Sequence, residues 1–249
     1  MSNIFKSIKD FLHFQKEDIS DSQKTQNMDL GNIDKELVHI FEYKDKNGNF
    51  DYSKYRDIQI TANKKKIDKS SIDERDLQIL SCWLREHVSP LSHGLCHGTR
   101  RGLEQTFFHK YTGADVLGTD ISPTAVQFPN TIQHDFHEIK EEWLNHFDFI
   151  FSNSYDHSYN FELCISQWMK CIRPGGVCVL EHSDGHVRMK ATDPLGIDRE
   201  TLIKLLTYWG EKNNFFIEEQ LFIPLEKEKI TTADFRFDNF YYIILRKIR

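Results

Sequence analysis

Two short stretches concentrate the side chains that could move a proton. One is Ser152-Asn153-Ser154-Tyr155-Asp156-His157-Ser158-Tyr159, and the other is Glu181-His182-Ser183-Asp184-Gly185-His186. Imidazole titrates near neutrality, so His157, His182 and His186 are the candidate general bases, with Asp156 and Tyr155 as neighbouring catalytic candidates. Such a set suits removal of a proton from an alcohol or amine as it attacks an electrophile. Glu181 has an alternative use as the cap of a strand end. His182, His186 and Asp156 can also be drawn as metal ligands, but their spacing is not a recognised ligand motif, and no metal is expected.

A second set of residues has the character of a cofactor cradle. Gly94-Leu95-Cys96-His97-Gly98-Thr99-Arg100-Arg101-Gly102 reads as a short strand running into a glycine-bearing turn before a helix. Such a turn lets the backbone approach a ligand closely and directs N–H groups at it. Further on, Val116-Leu117-Gly118-Thr119-Asp120 ends a strand in an acid, and Ile121-Ser122-Pro123 opens the next helix. A carboxylate there can accept from both hydroxyls of a ribose. Ile132-Gln133-His134-Asp135-Phe136 is a third strand ending in an acid, where Asp135 can reach an adenine amino group. Glycine turn, acid and acid at three successive strand ends say more than any one alone.

The elements that must position these groups alternate in type. Leu77, Leu80 and Leu84 recur at helical spacing after Ser71-Ile72-Asp73-Glu74, which has capping-box spacing, and predict a helix over about 72–88. Short apolar runs then alternate with helical stretches, and a further helix over about 199–212 is capped by Asp198 and faced by Leu202, Leu205, Leu206 and Trp209. Strands separated by helices imply right-handed crossovers and a mainly parallel sheet covered on both faces. The runs 215–221 and 240–245 are joined by a charged, loop-like link without a helical stripe, so the last strand is expected to be antiparallel.

The segment from Gly94 to His186 resembles the core of class I S-adenosylmethionine-dependent methyltransferases. Val116-Leu117-Gly118-Thr119-Asp120-Ile121-Ser122 is similar to that family's ribose-binding segment, and Phe147-Asp148-Phe149-Ile150-Phe151-Ser152-Asn153 to the strand before its active-site loop. Ile172-Arg173-Pro174-Gly175-Gly176-Val177 is similar to its turn into the fifth strand. The resemblance implies a Rossmann-like α/β fold with a seven-stranded sheet in the order 3-2-1-4-5-7-6, helices on both faces, and S-adenosylmethionine as cofactor. It implies cofactor contacts from Cys96, His97, Gly98, Thr99, Arg100 and Arg101 in the first loop. Asp120 and Ile121 follow at the ribose, Asp135 and Phe136 at the base, and Asn153 after the fourth strand. One departure stands out. The family's first loop reads acid-x-Gly-x-Gly-x-Gly, and aligning Gly98 with the central glycine puts Gly94, Cys96 and Arg100 in the other three places, so the usual acid is missing. Arg100 or Arg101 could instead pair with the methionine carboxylate, and Glu104 on the next helix is another contact.

Composition narrows the partners. A net charge of −6 argues against a nucleic-acid acceptor, since phosphate-tracking proteins carry a basic face. Five cysteines, none in a C-x-x-C pair, read as reduced thiols in the cytosol rather than zinc ligands or disulfides. No apolar run reaches the ~18 residues of a membrane span, so a cytoplasmic protein is expected. Residues 1–70 are polar, carry Asn47-Gly48 as a hairpin or exposed turn, and are expected to form an N-terminal extension that caps a domain over 71–249. The expected acceptor is a small polar molecule, a sugar or a nucleotide-linked glycan precursor, and a homodimer is compatible with this reading. Two other readings remain open. A nicotinamide-dependent oxidoreductase would need a G-x-G-x-x-G that is absent, and a non-catalytic S-adenosylmethionine-binding partner protein is kept open by the altered loop.

Overall fold

A computed structural model describes residues 24–69, 72–224 and 240–248. Its centre is β5 (Phe147–Ser152), in which every side chain is buried. A strand buried on both faces needs cover on both, and the side-chain alternation supplies two cores. Ile150 faces one, with Leu95, Cys178, Leu180, Ile243 and Leu245, under α4 (Phe161–Cys171) and α5 (Arg199–Asn213). Phe149 and Phe151 face the other, with Cys96, Val177, Val179 and Ile244, under α2 (Glu74–His87) and α3 (Leu103–Thr112).

Seven strands form the main sheet. In chain order they are β2 (His93–His97), β3 (Asp115–Asp120), β4 (Thr131–Gln133), β5, β6 (Ile172–Ser183), β8 (Phe215–Phe222) and β9 (Phe240–Lys247), and their spatial order is β4-β3-β2-β5-β6-β9-β8. Renumbered one to seven, this is the expected 3-2-1-4-5-7-6. β9 is antiparallel to both of its neighbours, β6 and β8, while the pairs among β2 to β6 are parallel. A small second sheet pairs β1 (Val38–Ile40) with β7 (Leu195–Ile197), tying the early chain to the segment after β6.

Local differences from the sequence reading have local causes. The capping position of α2 is Asp73, whose carboxylate accepts from the Arg75 N–H, and Ser71 lies outside the described residues. After Asp120 only a short 3-10 turn forms, Pro123–Gln127, because β4 begins at Thr131 and leaves no room for a longer helix. Asn47-Gly48 does sit in a tight turn, closed by a Lys44–Phe50 bridge with Gly48 at φ 84°. The charged link at 225–239 lies outside the described residues. Among the described residues no helix is long and apolar enough to cross a membrane.

One contact fixes how closely β2 and β5 approach. The Phe149 ring lies over Gly94, and a methyl group there would stand 2.3 Å from Phe149 Cζ. Gly94→Ala should therefore overpack the sheet centre and lower stability by about 1–3 kcal/mol, read as a lower urea midpoint. An unchanged midpoint would show that the ring moves aside freely.

Candidate functional site

The carboxyl ends of β2, β3 and β5 open onto one trough, the usual ligand position in such sheets. Its floor is the turn after β2, where Gly98, Arg100 and Gly102 all have left-handed backbone, at φ 76°, 44° and 73°. That spacing corrects the alignment made from the sequence. Gly94 and Cys96 lie within β2, so the Gly-x-Gly-x-Gly positions are 98, 100 and 102, and the acid's place falls on Cys96. Arg100 thus takes a glycine conformation that costs a side chain about 1–2 kcal/mol.

Asp120 sits at the end of β3, only 4% exposed. Its oxygens accept from the Arg100 N–H at 2.9 Å and the Ser122 N–H at 2.8 Å. They also both accept from Asn63 Nδ2, at 2.9 and 2.8 Å. Burial pushes this carboxyl up despite its donors. Asn63 belongs to α1 (Tyr52–Lys65), which lies across the trough and was not singled out from the sequence. The same helix sends the Tyr52 hydroxyl to Asp135 Oδ2 at 2.7 Å and the Tyr55 hydroxyl to the His157 carbonyl at 3.2 Å. Asp135 is buried, yet its carboxyl is held well below the usual range: burial raises it, but His137, bonded to Oδ1 at 2.7 Å, outweighs that. The trough encloses about 490 Å³ of space, open solvent included, between α1 and a wall of Gly98, Asp120, Ile121, Phe136, Ser154 and His157.

Gly98, Arg100 and Ser154 also border a second recess, with Thr99, Arg101, Glu104 and Asn153. Glu104 is 5% exposed, its Oε2 has no hydrogen-bond partner, and burial pushes its carboxyl up to about 8. It is also the charge that acts on the Cys96 thiol, which burial already raises. A lone buried carboxylate thus stands beside the place where the pattern lacks its acid. The Arg100 and Arg101 guanidinium groups reach backwards instead, to the Lys69 and Asp68 carbonyls at 3.1 and 3.2 Å.

The expected catalytic residues divide into two groups. His182 is fully buried, with Nδ1 2.5 Å from the Tyr155 hydroxyl, and burial pulls its pKa down to about 3. Tyr155 is equally buried, so this pair lies beneath the trough rather than in it. Cys96 and His97 are core residues as well. The His97 ring stacks on Trp168 at 4.7 Å, and its pKa falls well below the ordinary value through burial. Those four side chains were expected to face ligand, and packing places them inside.

Asp156, His157 and His186 do come together, joined by Asp193, for which the sequence held no signal. Asp156 is 7% exposed, and burial pushes its carboxyl up to about 6. His186 Nε2 is 3.8 Å from Asp156 Oδ2, and its Nδ1 accepts from the Ser183 N–H at 2.9 Å. Burial pulls the His186 pKa down to about 4. His157 Nδ1 faces Gln59 Oε1 at 3.1 Å, and its Nε2 lies 3.5 Å from Asp193 Oδ1. Gln59 Nε2 also donates to the Thr192 carbonyl at 3.2 Å, so α1 clamps both partners of this contact.

Comparison with known proteins agrees with the fold. Residues 95–180 match the family model described as a methyltransferase domain. The 1,6-didemethyltoxoflavin-N1-methyltransferase of Burkholderia thailandensis, solved with 1,6-didemethyltoxoflavin and S-adenosylhomocysteine, is 17% identical with a TM-score of 0.58, over 79% of this chain and 88% of that one. The plantazolicin methyltransferase BpumL, solved with a triazolic desmethylPZN analog and S-adenosylhomocysteine, is 14% identical with a TM-score of 0.58, over 79% and 98%. The N-methyltransferase NodS of Bradyrhizobium japonicum WM9, solved with S-adenosylhomocysteine, is 14% identical with a TM-score of 0.54, over 77% and 99%. No curated protein sequence matches the chain. The domain match over residues 95–180 and the strand order of the whole sheet give this chain the fold of the class I S-adenosylmethionine-dependent methyltransferases.

Proposed function

We propose that the chain methylates a hydroxyl of a small polar acceptor, such as a sugar or a nucleotide-linked glycan precursor. The observation that carries this reading is that one trough is lined both by the buried Asp120 carboxylate and by His157, behind which Asp156 and His186 stand 3.8 Å apart. When bound, S-adenosylmethionine supplies an electrophilic methyl group. The residues present fit it. Asp120 takes the ribose hydroxyls, Ile121 and Phe136 flank the base with Asp135 beyond them, and Gly98, Thr99 and Asn153 border the methionine end. Glu104 takes the amino group in place of the missing first-loop acid, because an ammonium is the partner its lone buried carboxylate lacks. The acceptor is held against the cluster, which orients its oxygen and receives its proton.

In this reading residues 24–69 cap a methyltransferase domain, with α1 as the cover. Asn63 occupies the Asp120 oxygens that ribose would use, so the helix must yield there when cofactor enters. A cover over the trough also keeps water from the transferred methyl.

Calorimetry with S-adenosylhomocysteine tests these roles. Wild type should bind in the micromolar range and Asp120→Ala should weaken binding by more than about tenfold, since a charged hydrogen bond is worth about 1.5–3 kcal/mol. Asn63→Ala should strengthen binding by up to about tenfold by removing the competitor. Weaker binding in that variant would mean that Asn63 holds the ligand rather than its place.

Glu104 gives the affinity a pH dependence. Its carboxyl in the free protein, pushed up to about 8, is protonated below that pH, while the ammonium-bound form favours carboxylate. Binding therefore releases a proton at lower pH, and affinity should rise by up to about tenfold per pH unit from 6 towards 8 and then level. Glu104→Gln should flatten this profile, and an unchanged slope in that variant would remove Glu104 from the site.

A further inference from the structure

We propose that Asp156, His157 and Asp193 form a binding site for one divalent cation of the Mn²⁺ or Zn²⁺ kind. Each offers one ligand atom, and these three atoms lie within 4.8 Å of one another. His157 Nδ1 lies 3.1 Å from Gln59 Oε1, which holds the ring with Nε2 towards Asp193. His157 Nε2 is 3.5 Å from Asp193 Oδ1, a buried oxygen with no hydrogen-bond partner. The Asp156 carboxylate, more than nine-tenths buried, takes no hydrogen bond from another described residue, its nearest partner being His186 Nε2 at 3.8 Å.

A cation placed among the three atoms would be held by all of them at once. The surroundings have the form of a metal site's outer shell. A ligating histidine commonly gives its other N–H to an oxygen acceptor, and Gln59 Oε1 stands in that position beside His157 Nδ1. Lys190 Nζ holds the second Asp193 oxygen at 2.6 Å, so Oδ1 remains for single-oxygen coordination. His186 is held with its Nδ1 accepting from the Ser183 N–H, so its Nε2 carries a proton and is not a fourth ligand. One imidazole with two carboxylates suits Mn²⁺ or Zn²⁺ better than the all-oxygen sites of Mg²⁺ or Ca²⁺. The His157 and Asp193 side chains are 27% and 20% exposed, which leaves open positions for water or an acceptor oxygen. The use of the cation rests on the proposed methyl transfer: at the trough wall it would orient an acceptor hydroxyl and lower its pKa. The binding of the ion itself does not rest on that reading.

The test is direct titration of the full chain, free of cofactor, with Mn²⁺ followed by loss of its free electron-spin-resonance signal and with Zn²⁺ followed by calorimetry. One saturable site is expected. Asp193→Asn should weaken it by more than about tenfold, and Gln59→Leu, which frees the His157 ring, by about tenfold. S-adenosylhomocysteine titrated into the same samples should bind Asp193→Asn as it binds wild type, showing that the variant is folded. Absence of saturable binding to wild type at millimolar metal overturns the site, as does undiminished binding in Asp193→Asn. Metal binding without any S-adenosylhomocysteine binding would support the site and overturn the cofactor reading instead.

Discussion

The constraint on which the structure depends is the complete burial of β5. A strand with no solvent face forces helices onto both sides of the sheet, and that leaves only the strand ends free for ligands. The division is visible within single elements. Phe149, Ile150 and Phe151 pack the two cores, while Ser154 and His157, which follow them, line the trough. Position along the strand therefore decides whether a polar residue is structural or available for chemistry. His97 and His182 lie within strands and are absorbed into the interior, and His157 lies beyond one.

Burial at the strand ends sets a second condition, that each polar group needs a partner. Asp120 accepts four hydrogen bonds from three donors, one of them a side chain from a helix far earlier in the chain. Asp135 finds Tyr52 from that same helix and His137 from its own loop. α1 is poor in apolar residues, with only Tyr55 and Gln59 buried, so its placement over the trough is specified largely by hydrogen bonds. Contacts of that kind exchange readily with a ligand that offers equivalent groups. By contrast Glu104 Oε2 and Asp193 Oδ1 are buried without hydrogen-bond partners, and the proposed ammonium and cation would each supply one.

Much of the fold was legible in the sequence because it rests on local periodicities. Leu77, Leu80 and Leu84 marked α2, Asp198 marked the start of α5, and the missing crossover before Phe240 marked the antiparallel β9. The acids at the ends of β3 and β4 were legible for the same reason, since a strand pattern followed by a turn fixes what stands at the boundary. Glycine register was not, because φ at Arg100 depends on the path of the loop and not on residue type.

The alternation of strands and helices and the candidate acids at the strand ends were thus determined by the sequence, through patterns that repeat every two or every three to four residues, and the strand order was implied by the family resemblance. Only the tertiary structure decided which histidines face inward, that α1 covers Asp120 and Asp135, and that Asp193 joins Asp156 and His157. The physical reason is range: those relations join segments far apart in the chain, and no local spacing encodes them. They follow from how the extension, the loop after β5 and the segment before β7 pack against one another.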